Sequence, residues 1–276
     1  MELAVNYSPQ AAALLAEGRV QVERFKCPDW DDLIAEASAR SPVYVHFPLH
    51  TGALETADLE RVERLLERTG TPFVNVHRVA TPTDLPEVPL ASGRPEHLRR
   101  VADWLAEEVS RLTARFGAPR VIAENVIYRG FGGDTLRAAV LPEVVHRVCE
   151  ETGCGLLLDL SHARISAHYL GVDAPGAGLW EYLGGFPRAR LRELHLSGIH
   201  FQDERVRDHL SLTASDRAVM GRFFAALRRG EWREPETVAL EYGGLGELFA
   251  WRSERGVLER DLAYLRALQR DEPVPS

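Results

Sequence analysis

The sequence predicts an α/β fold, a single (β/α)8 TIM barrel in which residues 1–276 form one domain. About eight apolar stretches of strand length alternate with longer amphipathic stretches. Strict alternation of strands and helices predicts a parallel sheet, and eight such units close most simply into a barrel. The chain has 276 residues, of which 45% are hydrophobic, so it can bury a core of that size. No change in composition marks a linker between domains.

Eight strands are predicted where short apolar runs end at turn signals or polar residues. In chain order they are 3–7, 20–26, 43–46, 73–77, 121–125, 156–159, 191–196 and 238–241. The run at 156–159 is continuously apolar up to Asp159, a pattern typical of a strand buried on both faces of a parallel sheet. No glycine-rich dinucleotide fingerprint follows the first strand, so a doubly wound open sheet is the weaker alternative.

Helices are predicted between the strands from amphipathic periodicity and from capping residues. In chain order they are 11–17, 29–40, 55–68, 96–116, 142–151, 179–183, 215–229 and 258–269. A loop is predicted after residue 196, and it contains His200, Asp208 and His209. The glycine-rich loop 130–133 is a candidate phosphate or substrate contact, but a mobile loop explains its composition better.

Composition argues against several classes of protein. A net charge of -8 and a pI near 5.7 do not support an extended nucleic-acid-binding surface, which carries a basic balance or stripe. No apolar stretch of about 18 residues predicts a transmembrane helix. The N-terminus lacks the basic region and apolar core of a signal peptide, so a cytoplasmic protein is expected. Three scattered cysteines do not describe a disulfide framework.

Acidic or imidazole side chains end six of the predicted strands. Asp159 ends its strand and His162 follows three residues later, so the two converge only if the chain turns directly after Asp159. Side chains at the carboxyl ends of barrel strands face one mouth. The metal ligands predicted from these strand ends and from the loop after residue 196 are His46, His77, Glu124, Asp159, His162, His195, Asp208, His209 and Glu241.

A divalent metal explains this convergence, because carboxylates that meet in one mouth repel each other unless a cation neutralises them. Mixed imidazole and carboxylate donors favour zinc, iron, manganese or cobalt over calcium or magnesium. One metal uses about four to six ligands, so a set of this size predicts two or three ions. Taken singly, a histidine after an apolar strand is more often a hydrogen-bonded structural residue than a ligand, so the metal prediction depends on the whole set.

Other polar residues receive further roles. Glu124 and Glu241 are predicted catalytic groups as well as ligands. Asn6 and Lys26 end the two remaining strands and are candidates for substrate binding, with solvated strand ends as the alternative. The residues predicted to support the ligands by hydrogen bonding are His50, His168 and His200.

The ordered ligand set resembles the xylose isomerase-like barrel superfamily, and two of its branches are similar to this chain. Apurinic-site endonucleases of the endonuclease-four type arrange His, His, Glu, Asp-x-x-His, His, Asp/His and Glu in this order around three zinc ions. In that branch one residue separates the Asp/His pair, whereas Asp208 and His209 are adjacent here. This resemblance implies a zinc phosphodiesterase.

The second branch is the multinuclear non-heme iron-dependent oxidative enzymes, which the second half of the chain resembles more closely. The similar segments are TGCGLLLD at 152–159, ISAHYLGVD at 165–173 and RELHLSG at 192–198. The family commonly has asparagines just after the aspartate, where this chain has Ser161 and His162, and its N-terminal strand-end signature is not evident at 25–28. The resemblance implies iron, oxidation of cysteines in a ribosomally made peptide, and a partner protein that presents the peptide.

Three reactions therefore suit the predicted mouth. They are peptide oxidation at iron, sugar isomerisation or epimerisation at one or two divalent ions such as manganese, and phosphodiester hydrolysis at zinc. The resemblance of the second half favours the iron-dependent oxidase. The non-enzymatic alternative is a metal-binding module or pseudo-enzyme, although structural metals prefer closed shells of four ligands.

Overall fold

A computed structural model describes residues 1–172, 178–202, 205–244 and 252–273. Asp173, in one of the segments that carry the family resemblance, lies outside these residues. The strands are β1 (Glu2–Asn6), β2 (Arg24–Cys27), β3 (Val43–Val45), β4 (Val74–His77), β5 (Val121–Glu124), β6 (Gly155–Asp159), β7 (Leu191–Leu196), β8 (Gly198–Gln202), β9 (Arg205–Leu210) and β10 (Thr237–Leu240). All eight predicted strands are present.

Helices alternate with the strands along the chain. They are α1 (Pro9–Ala16), α2 (Asp31–Ser38), α3 (Leu59–Thr69), α4 (Pro95–Phe116), α5 (Arg137–Val140), α6 (Pro142–Thr152), α7 (Leu160–Tyr169), α8 (Gly178–Gly184), α9 (Ala214–Arg228) and α10 (Arg255–Arg270). Short 3-10 turns occur at Leu54–Thr56, Ala118–Arg120, Gly130–Gly132 and Arg188–Arg190. None of the helices in the described ranges is long and apolar enough to span a membrane.

The chain forms two compact units. The first comprises Met1–His46, Leu65–Thr71 and Glu193–Ser276, and the second comprises Phe47–Arg64 and Pro72–Arg192. The prediction that residues 1–276 form one domain therefore stays a prediction.

In the first unit, five parallel strands lie in the order β3-β2-β1-β10-β7. Ala4 on β1 is in register with Ala239 on β10, and both pack against Tyr44 from β3. Because the strands are parallel, their carboxyl ends meet at one edge of this sheet. That edge carries the polar residues that follow the apolar runs.

The loop predicted after residue 196 is instead an antiparallel hairpin, in which β8 pairs with β9. Gly198 allows this close pairing, because a Cβ atom at its position would lie 1.9 Å from the Ser211 carbonyl oxygen. The prediction missed the hairpin since its strands are short and mix polar with apolar residues. The hairpin carries His200, Asp208 and His209 in defined positions.

In the second unit, three parallel strands lie in the order β6-β5-β4. Phe73, Ile122 and Leu157 pack together in its core. His77 at the end of β4 is in register with Glu124 at the end of β5. Helices α4 and α6 pack on each other in the same unit.

Candidate metal centre

The Glu124 cluster is a group of four ionisable side chains in the second unit: His77, Glu124, Asp159 and His162. The carboxylate of Glu124 lies between two imidazoles, with Oε2 at 3.2 Å from His77 Nε2 and Oε1 at 3.6 Å from His162 Nδ1. His162 Nε2 lies 3.5 Å from Asp159 Oδ2. Strand ends that the sequence predicted to be close in space are therefore brought together.

The turn that joins Asp159 to His162 is the start of helix α7. Asp159 is the N-cap residue of this helix, and its Oδ1 accepts a hydrogen bond of 2.7 Å from the His162 backbone N–H. This cap folds the chain back after β6, as the spacing of the two residues required. Oδ1 serves the helix and Oδ2 faces the cluster, so one side chain has two functions.

Asn125 holds the neighbouring strand end in place and was not predicted. Its side-chain amide donates to the Asp159 carbonyl at 2.9 Å and accepts from the Asp159 N–H at 2.8 Å. The Asn125 carbonyl also lies 2.9 Å from His162 Nδ1. The only signal in the sequence was its position directly after Glu124.

The two imidazoles of the cluster have the tautomer that a metal ligand needs. His77 Nδ1 lies 2.9 Å from the Leu49 carbonyl, and His162 Nδ1 lies 2.9 Å from the Asn125 carbonyl. A carbonyl only accepts, so each Nδ1 carries the proton and each Nε2 has its lone pair directed away from that bond. Nε2 of each ring faces a carboxylate of the cluster.

The donors of this cluster fit a transition metal. One ligand atom from each of Glu124, Asp159 and His162 lies within 4.8 Å of the others. Both carboxylates are 1% exposed, and buried carboxylates this close together are stabilised by a cation. Two carboxylates with imidazole suit zinc, iron or manganese. The clustered groups are therefore compatible with a metal site.

The Glu241 cluster is a second group, in the first unit: Lys26, His46, Glu193, His195, Asp208, His209 and Glu241. Glu241 directly follows β10, and its Oε1 contacts Lys26 Nζ and lies 3.2 Å from His195 Nδ1. Its Oε2 lies 3.7 Å from His209 Nε2. The ring of His46 lies 5.2 Å from that of His195, centroid to centroid.

Glu193 fixes the orientation of His195 and was also not predicted. Its Oε1 lies 2.7 Å from His195 Nε2, so His195 is held between the carboxylates of Glu193 and Glu241. Residues two apart in a strand share a face, and this spacing could have identified Glu193. A carboxylate on one imidazole nitrogen is a common arrangement behind a metal-binding histidine.

The charges of this cluster shift two pKa values strongly. Burial and the Lys26 ammonium lower the pKa of His195, but Glu241 and Glu193 outweigh them and raise it to about 10. Burial raises the pKa of Glu241, whereas Lys26, His195 and His209 outweigh burial and hold it well below its usual range. The cluster therefore contains its own compensating charges.

His209 and Asp208 lie at the end of the hairpin. His209 has a backbone φ of 55°, in the left-handed region that few residues other than glycine adopt. Its N–H donates to Ser197 Oγ at 3.1 Å, and its Nε2 lies 4.0 Å from Asp208 Oδ2. The Asp208 carbonyl accepts from Arg252 Nη1 at 3.5 Å.

The remaining predicted residues have local contacts. Asn6 Nδ2 donates to the Gly243 carbonyl at 3.3 Å. His50 Nδ1 lies 3.1 Å from the Thr51 carbonyl oxygen, and His200 Nε2 lies 2.9 Å from the Ser211 carbonyl oxygen. His168 is exposed near the end of α7, with its ring against Tyr169. Their supporting and substrate-binding roles stay predictions.

Comparison with known proteins identifies the family. Residues 29–228 match the family described as RiPP precursor modification enzyme MbnB/TglH/ChrH. The chain belongs to this family. The predicted membership of the xylose isomerase-like superfamily is thereby confirmed, and the match agrees with the branch that the second half resembles.

Curated relatives match parts of the chain. A UPF0276 protein of Paraburkholderia phytofirmans is 28% identical over 174 residues, which cover 61% of this chain and 52% of that protein. The UPF0276 protein RB0508 of Rhizobium meliloti is 29% identical over 115 residues, which cover 42% of this chain and 35% of that protein. The chain thus spans about half or less of the length of these relatives.

Solved structures of sugar epimerases share the fold. D-allulose 3-epimerase from Methylomonas sp. has a TM-score of 0.55 at 14% identity, with 96% of each chain covered. D-psicose 3-epimerase from Clostridium cellulolyticum H10 has a TM-score of 0.54 at 11% identity, with 98% of this chain and 99% of that chain covered. At these identities the likeness shows the fold alone, and it confirms the predicted TIM-barrel class.

Proposed function

We propose that this protein is an iron-dependent enzyme that oxidatively modifies cysteine in a ribosomally made precursor peptide. The family match over residues 29–228 carries the proposal, because the matched segment contains eight of the nine predicted ligands, all except Glu241. The fold likeness to sugar epimerases carries no chemistry at 11–14% identity. We also propose, from the family resemblance, that a partner protein presents the peptide. A separate proposal, which the family match does not address, is that the reaction takes place in the cytoplasm.

Subsets of the nine predicted ligands would hold the metal ions. Glu124 and Asp159 offer buried carboxylate oxygens, and His77 and His162 present Nε2 beside them. Bound iron would supply a redox centre with a coordination position for dioxygen. The carbonyls of Leu49 and Asn125 keep the imidazole protons on Nδ1 and so keep Nε2 available.

Glu124 and Glu241 are the proposed catalytic carboxylates. Each has two imidazoles within 3.2 to 3.7 Å of its oxygens, so each is positioned to exchange a proton with a neighbouring ring or with substrate. Both lie at carboxyl ends of barrel strands, the end at which barrel enzymes carry their active sites.

The test compares the anaerobically iron-loaded protein with the zinc-loaded protein. The substrates are cysteine-containing peptides encoded beside its gene, supplied with and without a co-expressed neighbouring protein. We expect oxygen consumption and a mass change on a peptide cysteine with the iron form only. Asp159→Asn should abolish both, whereas His146→Ala, at an exposed position on α6, should not.

Two results would contradict the proposal. One is phosphodiester cleavage by the zinc form without oxygen consumption by the iron form. The other is sugar epimerisation by a manganese-loaded form under the same conditions. Either result would assign the same barrel to a different reaction.

A further inference from the structure

The Glu241 cluster contains a cation of its own. Contacts between carboxylates and imidazoles occur in the Glu124 cluster. In the Glu241 cluster an ammonium group is present as well, because Lys26 Nζ contacts Glu241 Oε1. Lys26 is the only lysine in the sequence, in which all other Lys/Arg positions are arginine. A compact cation is thus placed at one proposed metal ligand.

The sheet determines where this lysine lies. Lys26 is in register with Asn6 on β1, and β1 separates β2 from β10, which Glu241 follows. The long lysine side chain spans the intervening strand end to reach the carboxylate. Lys26 is 6% exposed and Glu241 is 4% exposed. Buried charges of this kind occur almost only as pairs, so water does not readily replace either partner.

A metal ion at Glu241 Oε1 would compete with Lys26 for that oxygen. Oε1 contacts both Lys26 Nζ and His195 Nδ1, whereas Oε2 has His209 at 3.7 Å. Two cations at one buried oxygen repel strongly, because the Coulomb interaction is weakly screened there. Displacement of Lys26 would leave its ammonium buried without a counter-ion, which is unfavourable.

We propose that the Lys26 ammonium occupies Glu241 Oε1 and thereby prevents a metal ion from binding to that oxygen. The chain therefore binds one metal ion fewer than its nine imidazole and carboxylate donors could hold, and metal binds first at the Glu124 cluster. The inference rests on the proposed function in one respect, namely that metal binds at those other donors. In this proposal Lys26 limits the number of metal ions that the chain binds. The proposal does not depend on the predicted contact between Lys26 and substrate.

The test is a Zn²⁺ titration of the full-length protein after removal of metal with a chelator. Binding is followed by calorimetry and by elemental analysis. Lys26→Met, which removes the ammonium, should bind one more equivalent than the wild type, or bind its last equivalent at least about tenfold more tightly. Lys26→Arg should behave like the wild type. Arg24→Met is the matched control, since Arg24 lies on the same strand and pairs with Glu2.

A second readout uses the single lysine. Protein labelled with ¹³C at lysine Cε gives one side-chain signal, which belongs to Lys26. The signal should stay unchanged while the first Zn²⁺ equivalent binds. A shift to the position of a solvated lysine during that step would overturn the inference, because metal would then have displaced Lys26 from Glu241.

The titration separates this inference from the proposed function. If the wild type binds metal and Lys26→Met binds the same number with the same affinity, the inference is wrong and the metal site stands. If only Lys26→Met binds metal, both fail, because the inference requires the wild type to bind metal at the Glu124 cluster. If Lys26→Met gains an equivalent but the iron-loaded wild type oxidises no peptide, the inference holds and the proposed function fails. If neither binds, both are wrong. Should Lys26→Met not fold, Lys26→Gln keeps a hydrogen-bond donor for Glu241 without the charge, and the same outcomes apply.

Discussion

Substitutions of Asp159 can separate an effect on metal binding from an effect on fold stability, because its two carboxylate oxygens have different contacts. Oδ1 caps α7 through the His162 N–H, and Oδ2 lies in the Glu124 cluster. Asn is as good an N-cap as Asp, whereas Ala is a poor one. Asp159→Asn therefore removes the charge and keeps the cap, and Asp159→Ala removes both.

The expected magnitudes follow from this difference. Loss of the cap costs about 1 kcal/mol, so Asp159→Ala should lower the Tm of the metal-free protein by about 2–4 °C. Asp159→Asn should change the metal-free Tm by less than half of that, because loss of the charge at the helix N-terminus is offset by weaker repulsion of Glu124. Both variants should lose metal equally, since each removes the same carboxylate.

The assays are thermal unfolding in a chelating buffer and elemental analysis after metal loading. His146→Ala, at an exposed position of α6, should match the wild type in both. If both Asp159 variants lower the Tm of the metal-free protein equally, Oδ1 and Oδ2 do not have the separate roles assigned to them. Wild-type metal content in Asp159→Asn would refute the assignment of Asp159 as a ligand.

Three further predictions concern the first unit. Glu193→Gln should lower the pKa of His195 in the metal-free protein from about 10, because a carboxylate that raises this pKa is lost. The same substitution should weaken metal binding about 10–100-fold, because Glu193 orients the imidazole. NMR titration of the ring measures the pKa, and metal titration measures the affinity. Gly198→Ala should destabilise the protein by about 1–3 kcal/mol, because the added Cβ atom would clash with the Ser211 carbonyl oxygen. Denaturant unfolding measures this loss, and an unchanged denaturant midpoint would contradict the close approach. Burial raises the pKa of Cys27 from 9.0 to about 12, so the stability that this neutral thiol contributes is present below pH 9 and is lost as the pH rises towards 12. Alkylation and peptide mapping should find Cys27 protected in the native protein up to about pH 10, and rapid modification there would contradict its burial.

The strand ends of the second unit could be predicted because each is a local pattern. An apolar run that stops at His77, Glu124 or Asp159 places its last residue at the carboxyl edge of a parallel sheet, whichever helices follow. The turn from Asp159 to His162 was predicted for the same reason, since the two residues are three apart and one caps the helix. Local spacing was sufficient for the Glu124 cluster.

The charge balance of the Glu241 cluster could not be predicted in this way. The contact between Lys26 and Glu241 joins residues that are 215 positions apart, and it depends on β2 and β10 flanking β1. Lys26 was predicted to contact substrate because it ends a predicted strand that contributes no acid or histidine, and that role stays a prediction. The hairpin that positions His209 was missed because its short strands mix polar with apolar residues. The left-handed conformation of His209 and the close contact of Gly198 have no periodic signal either.

The most direct test of the account is elemental analysis of the full-length wild-type protein. The protein should be purified without chelator and then loaded separately with iron under anaerobic conditions and with zinc. The donor sets predict about two equivalents of transition metal, held by imidazole and carboxylate ligands. Less than about half an equivalent of any transition metal after both treatments would contradict the central claim that this barrel is a metal-dependent enzyme.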